Sequence, residues 1–186
     1  GNTQSYTYDG LGNILTMVDA TGHTETYTYN KHSKQNSYVS AEGKSIYQEF
    51  DVYDNPINII QNNREKTTRY DAFDRKIEEV DFNGNITTYT YDELNNRLSQ
   101  TVAVGTPDEA TTRFTYDKQS NLIEVLTPTA SQPVVYVYNE LNQRITETTA
   151  ENRVSHYTYD SNGNKITETK PDSTLIETSY DGQDRK

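Results

Sequence analysis

The chain has 186 residues and a formal net charge of −11, and only 31% of its residues are hydrophobic. This negative charge repels phosphate backbones and anionic lipid headgroups, so nucleic acid and membrane surfaces are disfavoured as partners. The sequence has no cysteine, which excludes disulfides and thiolate metal sites. No apolar run approaches the roughly 18 residues that a membrane span requires. The low hydrophobic content argues against a compact globule.

The elements predicted in chain order begin with a strand that ends in Tyr6-Thr7-Tyr8, followed by a turn over "DGLGN". A second strand runs through Leu15 to a turn over "DATGH", and a third ends in Tyr27-Thr28-Tyr29. The alternation of aromatic and β-branched residues has the period of two that is typical of strands, and no helix is expected. Each repeat therefore reads as two strands of about seven residues joined by short turns.

A motif of an aromatic residue followed by Asp or Asn recurs along the whole chain at spacings of 20 to 25 residues. We name the aromatic residue the anchor. The anchors are Tyr8, Tyr29, Phe50, Tyr70, Tyr91, Tyr116, Tyr138, Tyr159 and Tyr180. The residues that follow them are Asp9, Asn30, Asp51, Asp71, Asp92, Asp117, Asn139, Asp160 and Asp181. A fixed internal period is the signature of a tandem-repeat architecture, here a single array of about eight repeats over residues 1–186.

Three other columns accompany the anchors. Two positions earlier a second aromatic usually occurs, and the two columns together hold 13 of the 16 tyrosines, so they are the main source of an apolar core. Seven positions after the anchor an aliphatic residue occurs in every repeat except at Asn36. Four positions after the anchor the residue is always Gly, Ser, Asp or Asn, which tolerate a positive φ in tight turns. We expect neighbouring hairpins to pack the tyrosine columns against the aliphatic columns.

The two longest spacings contain "VAVGTPDEATT" and "LTPTASQPVV", and their extra residues fall at the turn in the middle of the period. Insertions in a loop leave the strand register unchanged. The pattern thus predicts an all-β fold: an extended, curved antiparallel sheet of about 16 strands.

The segments "YDGLGNIL", "YDSNGNKI", "YDELNNRL" and "YNELNQRI" resemble the YD repeat, also called the RHS repeat. Such repeats occur in bacterial polymorphic toxins, wall-associated proteins, insecticidal toxin-complex components and teneurins. The resemblance implies an open segment of a β-spiral shell, which in the toxins encloses a C-terminal effector. The segment "NKHSKQNS" departs from the pattern and is expected to form a weaker hairpin. The chain lacks the Asp-Pro dipeptide and the cargo domain of the toxin members, which indicates that it is part of the shell wall. We also expect it to be a fragment of a longer protein.

Candidate ligand groups are sparse. Asp160, Asn162 and Asn164 copy the first ligands of a calcium loop, but the twelfth position is Pro171 where a bidentate Glu is needed, so turn chemistry is favoured over a weak ion site. His23, His32 and His156 occupy unrelated repeat positions. No nucleophile elbow or phosphate-binding glycine loop occurs. We therefore expect no catalytic, cofactor-binding or metal-binding residues, and no enzyme.

Two functions remain open. The first is a non-catalytic structural segment of a secreted or cell-surface protein, which scaffolds or encloses another part of that protein. Its partners are then the flanking repeats and the enclosed or displayed domain. The second is a binding module that offers Tyr, Asn and Asp side chains to a surface glycan or a partner protein. The uncharged start "TQSYTY" also suggests a weak edge-mediated homodimer.

Overall fold

The computed structural model describes residues 3–186, and it confirms an all-β fold without a helix in that range. The chain divides into two units, residues 1–87 and 88–186, and the division falls within β9. The described residues form 17 strands where about 16 were expected. Unit 1 contains β1 (Ser5–Tyr8), β2 (Ile14–Val18), β3 (Thr24–Tyr29), β4 (Gln35–Val39), β5 (Ser45–Phe50), β6 (Pro56–Gln61), β7 (Arg64–Tyr70) and β8 (Lys76–Val80).

The next strand, β9 (Ile86–Tyr91), leads into unit 2. That unit continues with β10 (Arg97–Val102), β11 (Ala110–Tyr116), β12 (Leu122–Leu126), β13 (Val134–Tyr138), β14 (Arg144–Thr148), β15 (Val154–Tyr159), β16 (Lys165–Thr169) and β17 (Leu175–Glu177). In unit 1, β1 to β8 form an antiparallel meander in which each strand pairs with the next. In unit 2, β9 to β17 form another.

Fifteen of the 17 described strands are shorter than the expected seven residues, and β7 and β11 have seven. Most have five or six residues because a five-residue turn follows almost every strand. We name the turn that follows an anchor the anchor turn and the other the mid-period turn. In the anchor turn of Asp160, the backbone N–H of Asp160 donates to Asn164 O at 3.0 Å, and Gly163 N donates to Asp160 O at 3.1 Å.

A positive φ four positions after the anchor was predicted, and the structure confirms it in every anchor turn. Glycine adopts the positive φ without strain at two of these positions, and Asn, Asp or Ser adopts it at the others. The residues and angles are Gly12 (86°), Ser33 (60°), Asp54 (67°), Asp74 (59°), Asn95 (67°), Ser120 (64°), Asn142 (59°), Gly163 (89°) and Asp184 (58°).

The mid-period turns also lie where they were predicted. Asn62 and Asn63 form a two-residue turn with φ of 50° and 62°, the conformation that suits a tight hairpin. The two long spacings correspond to loops over residues 103–109 and 127–133, between strands that remain paired. Both insertions are therefore accommodated at the mid-period edge of unit 2.

The residue seven positions after the anchor, which is usually aliphatic, lies at a β-bulge in each hairpin. In the first hairpin Thr7 pairs with Thr16 and Tyr8 pairs with Ile14, so Leu15 has no partner across the ladder. The same register shift occurs beside every anchor from Tyr8 to Tyr159. A bulge of this kind increases the local twist of the strand pair.

The two sides of the strands differ. The aromatic face carries the anchors and the residues two positions before them. The hydroxyl face carries the residues immediately before the anchors, which are all exposed: Thr7, Thr28, Glu49, Arg69, Thr90, Thr115, Val137 and Thr158. Hydroxyl pairs join strands on that face, for example Thr158 and Thr167 with oxygens 2.6 Å apart.

The expected tyrosine core is shallow. Tyr157, 8% exposed, is the one buried hydrophobic residue among residues 3–186, while Tyr8 is 56% exposed. Among the described residues of each unit, strands contact only their chain neighbours, so no second layer covers the aromatic face. The prediction of a buried core was wrong because the rings are covered only by side chains of adjacent strands.

Candidate functional site

Four anchor hydroxyls join their own repeat to the one before it. Tyr159 Oη donates to the backbone carbonyl of Arg144 at 2.7 Å, and Tyr138 Oη donates to that of Leu122 at 2.9 Å. Tyr116 reaches Arg97 O at 3.1 Å, and Tyr70 reaches Pro56 O at 3.4 Å. In each case the acceptor is the sixth residue after the preceding anchor. A half-buried phenol is thus hydrogen-bonded while its ring covers the neighbouring hairpin.

The hydrogen-bonded pairs lie 14, 19, 16 and 15 residues apart in sequence for Tyr70, Tyr116, Tyr138 and Tyr159. The separation varies because both the strands and the mid-period loop between donor and acceptor vary in length. The geometry at the anchor edge is therefore independent of the loop at the other edge.

A second set of contacts links consecutive anchor turns. Asn164 Nδ2 donates to Asp184 Oδ1 at 2.8 Å, and Asn121 Nδ2 donates to Asn142 Oδ1 at 2.8 Å. Each donor lies five positions after an anchor, and each acceptor lies four positions after the next anchor. The other pairs of this ladder are Asn13 with Ser33, Asn55 with Asp74, and Asn96 with Ser120.

The atypical repeat "NKHSKQNS" uses other side chains for the same link. His32 Nδ1 lies 2.8 Å from Asp54 Oδ1, and Lys34 Nζ donates to Asp54 O at 2.9 Å. Asn30 Nδ2 also donates to Asp54 Oδ1, at 3.2 Å. The side-chain hydrogen bond from His32 lowers the pKa of Asp54, and Lys34 acts in the same direction. This repeat lacks the turn glycine, and its turn makes three side-chain contacts with Asp54 of the next anchor turn.

Basic residues cover aromatic rings in unit 2. The Arg144 guanidinium lies over the rings of both Tyr136 and Tyr157, 5.2 Å from each centroid. Its Nη1 is 3.1 Å from Glu147 Oε2, and Tyr157 Oη donates to the same oxygen at 3.3 Å. Arg97 lies between Phe114 at 4.8 Å and Tyr89 at 5.9 Å in the same way. These contacts are cation–π interactions across adjacent hairpins.

Unit 1 contains a different aromatic group. Tyr27 and Tyr38 lie with ring centroids 5.3 Å apart, and both hydroxyls donate to the Glu25 carboxylate, at 2.6 and 3.0 Å. The hydrogen bond to Glu25, with burial, raises the pKa of Tyr27 to about 12. No cation–ring contact involves either tyrosine among the described residues.

The aspartates that follow the anchors close their own turns. Asp160 Oδ1 accepts from the backbone of Asn162 and Asn164, each at 2.9 Å, and Asp160 Oδ2 accepts from Asn164 Nδ2 at 3.1 Å. The same pattern occurs at Asp9, Asp51, Asp92 and Asp117. Among the described residues, these carboxylates accept hydrogen bonds within their own turns. The interpretation of "DSNGNK" as turn chemistry predicted such bonds.

These hydrogen bonds stabilise the ionised carboxylates. The pKa values of Asp9, Asp81 and Asp117 are lowered first by the side-chain hydrogen bond from the asparagine four positions later. At Asp160 the backbone N–H of Asn164 is the largest cause of a lowered pKa. Asp19, in a mid-period turn, has a pKa of about 2 because Thr21 donates to it and backbone N–H groups add to the effect.

The anchor turns also expose large apolar residues. Leu11, Tyr53, Phe73 and Leu141 lie three positions after an anchor and are each more than 70% exposed. The corresponding positions of the mid-period turns hold polar residues such as Thr21, Glu42, Asn83 and Glu151. The two edges of each unit therefore differ in polarity.

The structure places the predicted anchors together as one column in each unit, whereas His23, His32 and His156 lie on separate turns and strands. Sequence reasoning missed the basic column six positions after the anchor. The repeat pattern read from the sequence already contained the asparagine five positions after the anchor, but not its bond to the next anchor turn. The basic column recurs at a constant offset, and this offset was the signal that could have identified it. The basic residues are Lys76, Arg97, Arg144 and Lys165, and the asparagines are Asn13, Asn55, Asn96, Asn121 and Asn164.

These contacts define a tandem-repeat β protein in which repeats within a unit bind the backbone or the turn of a neighbouring repeat. The family profile described as teneurin YD-shell matches residues 83–186. The chain belongs to the teneurin YD-shell family. No curated protein sequence matches it.

Solved toxin-complex structures share the fold. The chain is similar to a crystallised TcdB2-TccC3-TEV chain, with 17% identity and a TM-score of 0.71 over 95% of this chain and 12% of the other. A Tc holotoxin pore from Photorhabdus luminescens that carries a TccC3 substitution gives 16% identity and a TM-score of 0.70, with the same coverages. TcdB2-TccC3 without its hypervariable C-terminal region gives 20% identity and a TM-score of 0.56, over 98% of this chain and 10% of the other. This chain thus spans about an eighth or less of the length of these solved chains. Residues 3–186 contain no helix long and apolar enough to cross a membrane.

Proposed function

We propose that residues 1–186 form a single tandem array of about eight repeats that serves as a non-catalytic wall segment of a secreted or cell-surface protein. In this role the segment scaffolds or encloses another part of the same protein. The observation that supports the proposal best is the bond from an anchor hydroxyl to the preceding repeat, which recurs at Tyr70, Tyr116, Tyr138 and Tyr159. The contact is between neighbours, so the array extends without a defined end, as a wall requires.

The chemistry of the anchor residues supports the same role. The carboxylate of Asp160 accepts three hydrogen bonds from its own turn, and the phenols of Tyr70, Tyr116, Tyr138 and Tyr159 donate to backbone carbonyls. These groups hold the repeat together, and we assign them a structural role. The flanking repeats and the enclosed or displayed domain are the proposed partners.

Single-cysteine labelling tests the wall function, because the chain has no native cysteine. Gln100 pairs with Tyr89 on the aromatic face, and Thr90 lies on the hydroxyl face of the adjacent strand. Gln100→Cys and Thr90→Cys are placed in the parent protein and in the isolated chain, and their reaction rates with a bulky maleimide are compared. A wall that encloses a domain protects one face in the parent and neither in the isolated chain. Equal reaction of both cysteines in both proteins contradicts enclosure.

Glycan binding is a second candidate, favoured by the Tyr27–Tyr38 pair. In unit 2 the rings of Tyr136 and Tyr157 are covered by Arg144, whereas the Tyr27 and Tyr38 rings have no cation over them among the described residues. Uncovered ring faces stack on sugar rings. Titration with soluble bacterial polysaccharides should give binding that Tyr27→Ala abolishes and that Tyr53→Ala, at a 72% exposed tyrosine on an anchor turn, leaves intact. No binding, or equal loss in both variants, excludes this candidate.

We also propose a weak homodimer through β1. Among the described residues this strand pairs only with β2, and Tyr6 and Tyr8 are 39% and 56% exposed. An unpaired strand edge without charged residues is a site for strand addition. Sedimentation at high concentration should show dimer in the wild type and monomer when Gln4→Lys and Thr7→Lys add charge to the edge. A wild type that is monomeric at every concentration contradicts the dimer.

A further inference from the structure

Two turns place an asparagine directly before a glycine. These are Asn83-Gly84 in the mid-period turn after β8 and Asn162-Gly163 in the anchor turn after β15. The two turns have the same backbone. Gly84 has φ of 83° and donates to Asp81 O at 2.9 Å, and Gly163 has φ of 89° and donates to Asp160 O at 3.1 Å.

Both asparagines are exposed, and the residue that follows each has no side chain to hinder attack on the asparagine amide. The space beside Gly84 is open, since a Cβ built there would have no neighbour within 4 Å. Beside Gly163 the nearest atom to such a Cβ is Gln143 Nε2 at 3.3 Å, the end of a flexible side chain. The asparagine amides are therefore exposed to water, and no side chain on the following residue shields them.

We propose that Asn83 and Asn162 are sites of spontaneous deamidation. The glycine backbone nitrogen attacks Cγ of the preceding asparagine and forms a new N–C bond. The bond from Cγ to Nδ2 breaks, and Nδ2 leaves as ammonia with the proton that the glycine nitrogen has lost. Water then adds to either carbonyl of the succinimide ring, which opens to aspartate or isoaspartate. No oxidant, metal or enzyme is required.

The two products have opposite electrostatic consequences. Asn162 Nδ2 donates to Asp184 Oδ1 at 3.0 Å, and Asp184 also accepts from Asn164 at 2.8 Å. A carboxylate at position 162 loses this donor and faces Asp184 as a like charge. The link between the last two anchor turns is therefore weakened.

At Asn83 the product gains a partner instead. Arg64 Nη2 donates to Asn83 Oδ1, and Arg64 Nε donates to Phe82 O at 3.1 Å. A carboxylate at position 83 keeps this contact and turns it into a charge-assisted hydrogen bond. Deamidation to aspartate thus loosens one turn and preserves the other. The inference does not depend on the wall function.

Peptide mass mapping of the full chain during mildly alkaline incubation tests the proposal. Asn152, which is exposed one position later in a five-residue mid-period turn and precedes Arg153, is the internal control. We expect Asn83 and Asn162 to lose their amides at least severalfold faster than Asn152, with isoaspartate among the products. Asn162→Gln should abolish the change at that turn, and Gln119 and Gln183 show that glutamine fits the position. If Asn83 and Asn162 deamidate no faster than Asn152, the proposal is overturned. The hydrogen bonds of the glycine N–H groups would then protect both turns.

Product mimics test the electrostatic part. Asn162→Asp should lower the urea unfolding midpoint of the full chain at neutral pH, and Asn83→Asp should leave it unchanged or raise it. Salt should reduce the loss in Asn162→Asp, because the repulsion from Asp184 is screened. A loss in Asn83→Asp equal to that in Asn162→Asp contradicts the assigned roles of Arg64 and Asp184.

Discussion

The hydroxyl of Tyr159 donates a 2.7 Å hydrogen bond to the backbone carbonyl of Arg144 and so ties β15 to the start of β14. The sheet ladder pairs β14 with β15 through their other ends, from Thr146 to Thr148. The side-chain bond therefore fastens the end of the strand pair that the ladder leaves open.

Removal of this hydroxyl should have a cost separate from that of the ring. Tyr159→Phe deletes one hydrogen bond and should lower the free energy of unfolding by about 0.5–1.5 kcal/mol. Tyr159→Ala also removes the half-buried ring and should cost about 2–4 kcal/mol. Thr158→Ala, on the exposed hydroxyl face, is the control and should cost less than about 1 kcal/mol. Equal urea midpoints for Tyr159→Ala and Thr158→Ala would refute the assignment of the faces.

The position four residues after the anchor should reject branched side chains. Ser120 has φ of 64° and accepts from Asn96 Nδ2 at 3.1 Å. Ser120→Val forces a β-branched residue into the left-handed region and should cost about 1–3 kcal/mol. Ser120→Gly relieves the strain but loses the hydroxyl acceptor, so thermal unfolding should change little. A valine variant as stable as the glycine variant would contradict this account.

The cation–π contacts of unit 2 should contribute measurably. Arg144 lies over two rings, and each such contact at a partly exposed site contributes about 0.5–1 kcal/mol, so Arg144→Met should cost about 1–2 kcal/mol. Arg113→Met is the control, because Arg113 is exposed on β11 and no contact is described for it. Chemical denaturation compares the two, and equal effects would argue that Arg144 acts only through its charge.

Stability should fall in acid through the turn aspartates. Asp9, Asp81, Asp117 and Asp160 have lowered pKa values in the folded chain, so their contribution is complete above the ordinary value of 3.8. It is lost as the pH falls through the folded values, which at Asp19 is about 2. Urea midpoints should be flat above about pH 5 and fall steeply between about pH 4 and pH 2.

Asp160→Asn is the matched variant, since Asn30 and Asn139 occupy the same position naturally. It should lose some stability at neutral pH and show a smaller loss in acid than the wild type. An acid transition unchanged in size would exclude Asp160 from the effect.

The sequence predicted the turns better than the core. Gly12 and Asp74 share neither charge nor size, yet their common tolerance of a positive φ was enough to locate the anchor turns. The depth of burial could not be predicted from the same pattern, because alternation shows which face is apolar but not whether anything covers it. The bulge at Leu15 was also missed, since an aliphatic residue in a strand suits a paired position as well as an unpaired one. The role of Arg144 depends on rings from two hairpins, which a single repeat does not reveal.

The independence of the anchor edge from the mid-period loop has a genetic consequence. The hydroxyls of Tyr70 and Tyr116 both bond to the backbone of the repeat before them, although 14 residues separate donor from acceptor in one case and 19 in the other. Unequal recombination that adds or removes one whole period therefore keeps an anchor hydroxyl opposite a backbone carbonyl of the preceding repeat. An in-frame insertion within an anchor turn, by contrast, displaces the asparagine that is hydrogen-bonded both within its own turn and to the next anchor turn. Such genes should vary in repeat number and in mid-period loop length while the anchor turns keep a constant length.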